Sequence, residues 1–324
     1  MKNLVLFFAG ICILTGSTPT TESRPVSTYS IVAYDEATGQ LGVAVQSHWF
    51  SVGSVVPWAK AGVGAVATQS FVKVEYGPDG LALMEMGFTP QEALDSLLST
   101  DDARQVRQVA MVDAYGNVAT HTGDNCIYAA GHTSGEGYSV QANLMTNPTV
   151  WDAMARAYES AGDDLADRMM AALEAAQAEG GDIRGRQSAA LLVVDGNAGD
   201  QPWEERIFDL RVDDSPEPLK ELRRLIRINR AYIHANAGDI FLEKGDIDKA
   251  LKEYSLATEY YPENPELPFW TAVTLASIGK VEESLPIFHD VFRKDPNLKL
   301  LINRLVPAGL LPDDKVILKQ IMDQ

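Results

Sequence analysis

The side chains with chemistry to offer are a few histidines, one cysteine and a single dense polar stretch. His48 directly follows a run of β-formers, and an imidazole exchanges a proton near neutral pH. His48, His121, His132 and Cys126 are all of metal-ligand type. No H-x3-H or C-x2-C spacing relates them, so the sequence specifies no metal centre. Gly39, Gly42, Gly53, Gly62 and Gly64 match neither a dinucleotide fingerprint nor a phosphate loop, and no cofactor is expected. The polar stretch is GGDIRGRQS, Gly180 to Ser188. Two readings of it stand side by side. In one, Arg184 offers its planar fork to a substrate carboxylate, with Asp182, Gln187 and Ser188 as further contacts and glycines admitting a ligand close to the backbone. In the other, Asp182 and Arg184 pair with each other and staple a tight helix-to-strand turn. Glu75 is an acid or metal-ligand type, or simply a solvated charge. Cys126 reads as a small half-buried side chain, because the second cysteine, Cys12, falls in an expected export signal and leaves it without a disulfide partner.

The elements that must position these groups are legible from periodicity and turn chemistry. Thr28–Tyr34 and Leu41–Ser47 are rich in β-formers and flank the turn DEATG, which predicts a hairpin. Gly62–Ser70 reads as a third strand. Helices are expected around Gly80–Met86 and over Pro90–Leu98, the latter opened by Thr89-Pro90. A second hairpin covers Gln108–Asp113 and Asn117–Thr122, and a strand covers Tyr138–Asn143. Helices follow over Val150–Ser160 and Asp164–Glu179, where Leu165, Met169, Leu173 and Ala176 recur at helical spacing. Ser188–Val194 and Arg206–Val212 close the series as strands. Antiparallel strands separated by helix pairs fit an α+β, four-layer αββα sandwich rather than a doubly wound parallel sheet.

Residues 1–17 read as an export signal: Lys2, an apolar run from Leu4 to Leu14, then the small residues Thr15-Gly16-Ser17. The run is too short to span a bilayer, and no other segment is long enough, so no membrane span is expected. A lipid anchor on Cys12 is disfavoured by Ile11 before it. Residues 18–27 form a polar leader, 28–214 the α+β domain and 215–230 a linker helix following the charged, proline-containing stretch Asp213–Pro218. Residues 231–324 form an all-α tail. In that tail Gly245/Gly279, Ala250/Ser284, Tyr254/Phe288 and Pro262/Pro296 each lie 34 residues apart, a period that resembles the tetratricopeptide repeat, with a capping helix at the end. Such repeats bind other proteins or serve a structural or homodimerising role. The net charge of −18 excludes nucleic acid as a partner, since it repels a phosphate backbone.

Five segments carry a specific resemblance: TYSIVAYDEATGQLGVAVQS, VVPWAKAGVGAVATQS, YGPDGL, RQVAMVDAYGNVATHTG and GGDIRGRQSAALLVV. Together they are similar to the bacterial family known as domain of unknown function 1028, whose fold is that of the N-terminal-nucleophile (Ntn) hydrolases. The resemblance runs from Thr28 to about Ala231. It implies a nucleophile at the start of the first strand, here Thr28, whose hydroxyl proton is taken by its own freed α-amine, an amine of pKa about 8. Ser30, two residues on and on the same strand face, is the reserve nucleophile. His48 would orient substrate or move a proton, and the amides of Gln69 and Asn143 would meet the developing oxyanion.

Two functions follow. One is a cofactor-independent, exported hydrolase acting on an amide bond of a small molecule or peptide. The other is a non-catalytic envelope binding or scaffold protein. A metal-dependent hydrolase is a weaker third.

Overall fold

In the computed structural model, which describes residues 28–162, 164–201 and 204–324, the chain opens on a hairpin. Strand β1 (Thr28–Tyr34) pairs antiparallel with β2 (Leu41–Ser47), and Thr28 faces Ser47 at its open end. Gly39, at φ +75°, makes the reversal, a conformation that residues with a Cβ adopt only with strain. The expected export signal and leader lie outside the described residues.

Strands β3 (Pro57–Lys60) and β4 (Gly64–Ser70) come next, then helices α1 (Tyr76–Glu85) and α2 (Pro90–Ser99). Helix α2 starts where its sequence says it should. The Thr89 hydroxyl accepts the Glu92 N–H, Glu92 reaches back to the Thr89 N–H, and Pro90 occupies the first turn. Strands β5 (Arg107–Asp113), β6 (Val118–Thr122), β7 (Gly131–Gly135) and β8 (Tyr138–Ala142) precede helices α3 (Val150–Ser160) and α4 (Leu165–Ala178). Strands β9 (Ser188–Val194) and β10 (Arg206–Val212) complete the unit. Neither β3 nor β7 is foreseen by the sequence reading. β3 is short and begins with proline, and β7 (GHTSG) is an edge strand with no alternating apolar face to announce it.

The strands form two antiparallel sheets, ordered β10-β9-β2-β1-β8-β7 and β3-β4-β5-β6. Strand alternation sends successive side chains to opposite faces, so each sheet serves two cores. On one face of the larger sheet, Tyr29, Ile31, Ala44, Val140 and Leu191 pack under Met154, Met169 and Leu173 of α3 and α4. Its other face, with Val32, Val43 and Val45, meets Ala65, Ala67, Ala110 and Val112 of the smaller sheet. The far face of the smaller sheet, with Val66, Val109 and Met111, is covered by Tyr76, Leu81 and Leu94 of α1 and α2.

From α5 (Pro218–Glu243) onward the chain is helical, with α6 (Ile247–Tyr260), α7 (Glu266–Ser277), α8 (Val281–Lys294), α9 (Pro296–Leu305) and α10 (Lys315–Met322). One unbroken 26-residue helix therefore joins the two regions. Its first half is fixed to the α+β unit. Leu219, Leu222 and Ile226 enter the core beneath α4, Arg230 pairs with Asp164 (2.6 Å) and Asp167 (2.7 Å), and Arg223 pairs with Asp167 and with Glu174 (2.8 Å). Its second half packs on α6, where Gly238 lets the Tyr254 ring lie against the helix backbone. A Cβ at Gly238 would sit 2.5 Å from Tyr254 Cε1. Positions 34 residues apart fall in equivalent places: Gly245 (φ +75°) and Gly279 (φ +85°) each end a helix, and Ala250/Ser284 and Tyr254/Phe288 are buried pairs. Among the described residues no helix is long and apolar enough to cross a membrane.

Candidate active site

A polar seam crosses the otherwise apolar space between the two sheets. The same alternation that places Val32 and Val43 there also places Thr28, Ser30 and Ser47, together with Gln141 and Asn143 from and just after β8 beside β1, and Gln69 and Gln108 from the facing sheet. All seven are fully buried. An unpaired buried amide costs roughly 1–3 kcal/mol, and most of these groups meet one another, although Gln141 Oε1 and Asn143 Oδ1 have no hydrogen-bond partner among the described residues.

At the strand end, Thr28 Oγ1 donates to Ser47 Oγ at 3.1 Å across the hairpin. The Thr28 carbonyl accepts the Asn143 backbone N–H at 3.0 Å and the Gln69 side-chain Nε2–H at 3.1 Å. Gln69 also accepts the Ser30 hydroxyl (2.7 Å) and donates to Gln108 Oε1 (2.7 Å). Gln108 accepts from Asn143 Nδ2 (3.0 Å) and donates to Ala142 O and Thr122 Oγ1, both at 2.9 Å. Gln141 Nε2 donates to Ser30 Oγ (3.3 Å) and Ala67 O (3.1 Å). The Asn143 Oδ1, buried at the same end as Thr28, accepts no hydrogen bond from the described residues.

Beside this seam lies the turn that begins at Gly180. The Asp182 carboxylate is fully buried and accepts the His48 N–H (3.1 Å), the Arg184 N–H (2.9 Å), Arg184 Nε (3.0 Å) and Arg184 Nη2 (2.7 Å). The Asp182–Arg184 pair of the stapled-turn reading is present, with His48 tied to it through its backbone. Gly185, at φ +115°, allows the close approach, because a Cβ there would lie 3.3 Å from the His48 ring. Gln187 N donates to Ser47 O (3.2 Å), and its side chain donates to Asp214 (3.1 Å). Ser188 accepts the Val52 N–H (3.1 Å) and donates to the Trp49 carbonyl, so it fastens the segment after β2.

The structure thus gathers Thr28, Ser30, His48, Gln69, Asn143, Asp182, Arg184, Gln187 and Ser188 at one end of the hairpin, and it does not join Glu75 to them. Glu75 stands exposed at the start of α1, where its carbonyl accepts the Asp79 N–H. The amides of Gln69 and Asn143 do not point their hydrogens at open space, since they hold the Thr28 carbonyl and Gln108. Sequence reasoning missed Ser47 as the Thr28 partner, and Gln108 and Gln141 altogether. A signal for both glutamines existed: each is polar at an inward-parity position of a strand whose other inward residues are small or apolar.

Cys126 is half-buried, and its thiol donates to the Arg107 carbonyl at 3.3 Å. Burial pushes that thiol up from its usual range, which keeps it protonated and poorly nucleophilic. His121 Nε2 donates to the Arg104 carbonyl (2.8 Å), while His132 Nδ1 meets the Thr122 hydroxyl (2.9 Å). Among the described residues, no three His, Cys, Asp or Glu side chains are grouped to hold a metal.

The family model described as "Family of unknown function (DUF1028)" matches residues 28–222, more than half of the chain. The chain belongs to this family. The DUF1028 match starts at Thr28, the first residue of β1, and ends within α5. Among solved structures, protein SPO2555 from Silicibacter pomeroyi, itself described by the DUF1028 family model, is similar at a TM-score of 0.55 and 29% identity. The similarity covers 62% of this chain and 88% of that one. No match was found among curated proteins.

Proposed function

We propose that the DUF1028 unit is an exported Ntn-type hydrolase that cleaves an amide bond with Thr28 as nucleophile. The observation that carries this reading is the place of Thr28: first residue of β1, between the sheets, its hydroxyl 3.1 Å from Ser47 Oγ and its carbonyl held by Gln69 and Asn143. The order helices, sheet, sheet, helices, and the family resemblance, support it. In the mature enzyme, cleavage after Ser27 frees the Thr28 amine, which takes the hydroxyl proton. Oγ then bonds to the substrate carbonyl carbon, the C–N bond breaks, and the departing amine leaves with that proton. Water next attacks the resulting ester, releasing the acid and restoring the hydroxyl. Asn143 Oδ1 is an acceptor suited to a substrate N–H. The mechanism draws on the chain's own groups and calls for no cofactor.

We read the helical tail as tetratricopeptide-like and as a docking surface for another protein. A second reading, a non-catalytic envelope scaffold, is favoured by one observation: the side-chain amides of Gln69, Gln108 and Asn143 already donate to protein acceptors.

Mass spectrometry of the N-terminus of the exported protein separates the two. The hydrolase begins at Thr28, and on a panel of amide substrates Thr28→Ala is inactive while Thr28→Ser keeps part of the rate. A mature chain that retains residues before Thr28, or turnover unaffected by Thr28→Ala, overturns the assignment.

A further inference from the structure

The tail carries a groove whose chemistry no part of the hydrolase reading uses. A cavity of about 540 Å³ lies between α5, α6, α7 and the loop after α9, and a second of about 170 Å³ adjoins it. Asp239, Tyr254 and Trp270 line both, so the trough consists of two adjoining lobes that share these side chains as a wall. The larger lobe is within the size range of sites that hold ligands, roughly 300–1,000 Å³.

The walls combine two kinds of side chain. Asp239 and Glu243 line the larger lobe and Glu266 the smaller, while no Lys or Arg lines either. Asp239 and Glu243 stand one helical turn apart on α5, where like charges destabilise a helix by about 0.2–0.5 kcal/mol. Neither of them, nor Glu266, has an ion-pair partner among the described residues. By contrast, the carboxylates on the α4 side of α5, Asp164, Asp167 and Glu174, are all paired with arginine. The Tyr254 hydroxyl donates to Asp239 Oδ1 at 2.6 Å, which orients that carboxylate and leaves Oδ2 for another donor. Trp270 and Tyr232 add aromatic surface able to hold a cation over a ring face. Leu242, Val273 and Leu310 supply an apolar floor and rim next to the acids.

We propose that this trough binds an extended peptide segment of a partner protein that presents an arginine or lysine beside an aliphatic side chain. The cation would sit between Asp239 and Glu243 and against Trp270, and the aliphatic neighbour on Leu242 and Val273. Charge complementarity selects the basic residue, and the juxtaposed apolar wall selects its neighbour. The two-lobed length favours a peptide over a single small cation. The inference rests on reading the tail as a docking surface and is independent of Thr28.

The test uses the full-length protein and a positional-scanning library of acetylated, amidated hexapeptides. Retained peptides should be enriched in Arg or Lys adjacent to Leu, Ile or Val. In calorimetry, the best of them should lose affinity about tenfold or more against Asp239→Asn/Glu243→Gln, a variant that keeps an acceptor for the Tyr254 hydroxyl. Replacing its arginine by citrulline should weaken binding to a similar degree. The circular dichroism of the variant should match that of the unaltered protein. Retention of acidic or uncharged peptides, or of none, overturns the proposal. So does a variant that binds undiminished, or argininamide alone binding as tightly as the peptide. Retention of acidic peptides would leave the tail a docking surface while refuting the chemistry assigned to it.

Discussion

Gln69 Nε2 donates to the backbone carbonyl of Thr28 at 3.1 Å, from one sheet to the other. The amide that the sequence offers as an oxyanion donor is thus spent on holding Thr28, the residue proposed as nucleophile, in place. Its other hydrogen goes to Gln108, and its oxygen accepts from Ser30. Replacing it with leucine removes three buried hydrogen bonds and leaves Ser30 and Gln108 short of a partner. Gln69→Leu should lose roughly 2–4 kcal/mol of stability, a few times the penalty of one stranded buried group. Urea unfolding measures this, and a change under about 0.5 kcal/mol would show the seam to be dispensable.

Asp182 binds the turn at 180–185 to the end of β2 through four donors from His48 and Arg184. Asp182→Ala takes the acceptor from the His48 N–H and removes three hydrogen bonds from Arg184. Breaking a fully buried ion pair costs about 3–5 kcal/mol, and Arg184 is partly solvated, so roughly 2–3 kcal/mol is expected. The same unfolding measurement applies, and hydrogen exchange at the His48 amide should accelerate.

Asp101 gives a signed pH dependence. Burial raises its carboxyl pKa, but the hydrogen bond and charge of Arg107, the Ala103 N–H and the Tyr76 hydroxyl outweigh that and hold it below the usual carboxylate range. A depressed folded-state pKa means that the unfolded chain takes up the proton first. The stabilisation is therefore complete above the unfolded value, about 3.9, and fades as pH falls through the lower folded one. The stability gap between the unaltered protein and Asp101→Asn should be widest at pH 6 and should narrow toward pH 3. A gap independent of pH would contradict the assignment.

In the tail, Gly238→Ala puts a methyl 2.5 Å from the buried Tyr254 ring, which Asp239 also anchors. Overpacking of this kind costs about 1–3 kcal/mol. Thermal unfolding followed by circular dichroism should show a lower midpoint. Gly245→Ala meets no neighbour, and its loss should come only from the positive φ of that residue.

Local structure could be read directly along the chain. β-Formers around DEATG set the hairpin, Thr89-Pro90 set the start of α2, and the spacing of Leu165, Met169 and Leu173 set α4, because turns, caps and periodicity act within a few residues. The sequence also put Thr28 at the first position of a strand and revealed the 34-residue period of the tail. Which side chains meet depends instead on how the sheets and helices pack. Gln69 and Asn143 reach the Thr28 carbonyl, and Gln108 reaches them, from strands and a strand end whose neighbours and facing layer are fixed by packing, so these meetings could not be read from spacing along the chain. That Arg184 pairs with Asp182 in a stapled turn likewise depended on the burial of Asp182. Burial is decided by the layers stacked over a residue, and these come from distant parts of the chain.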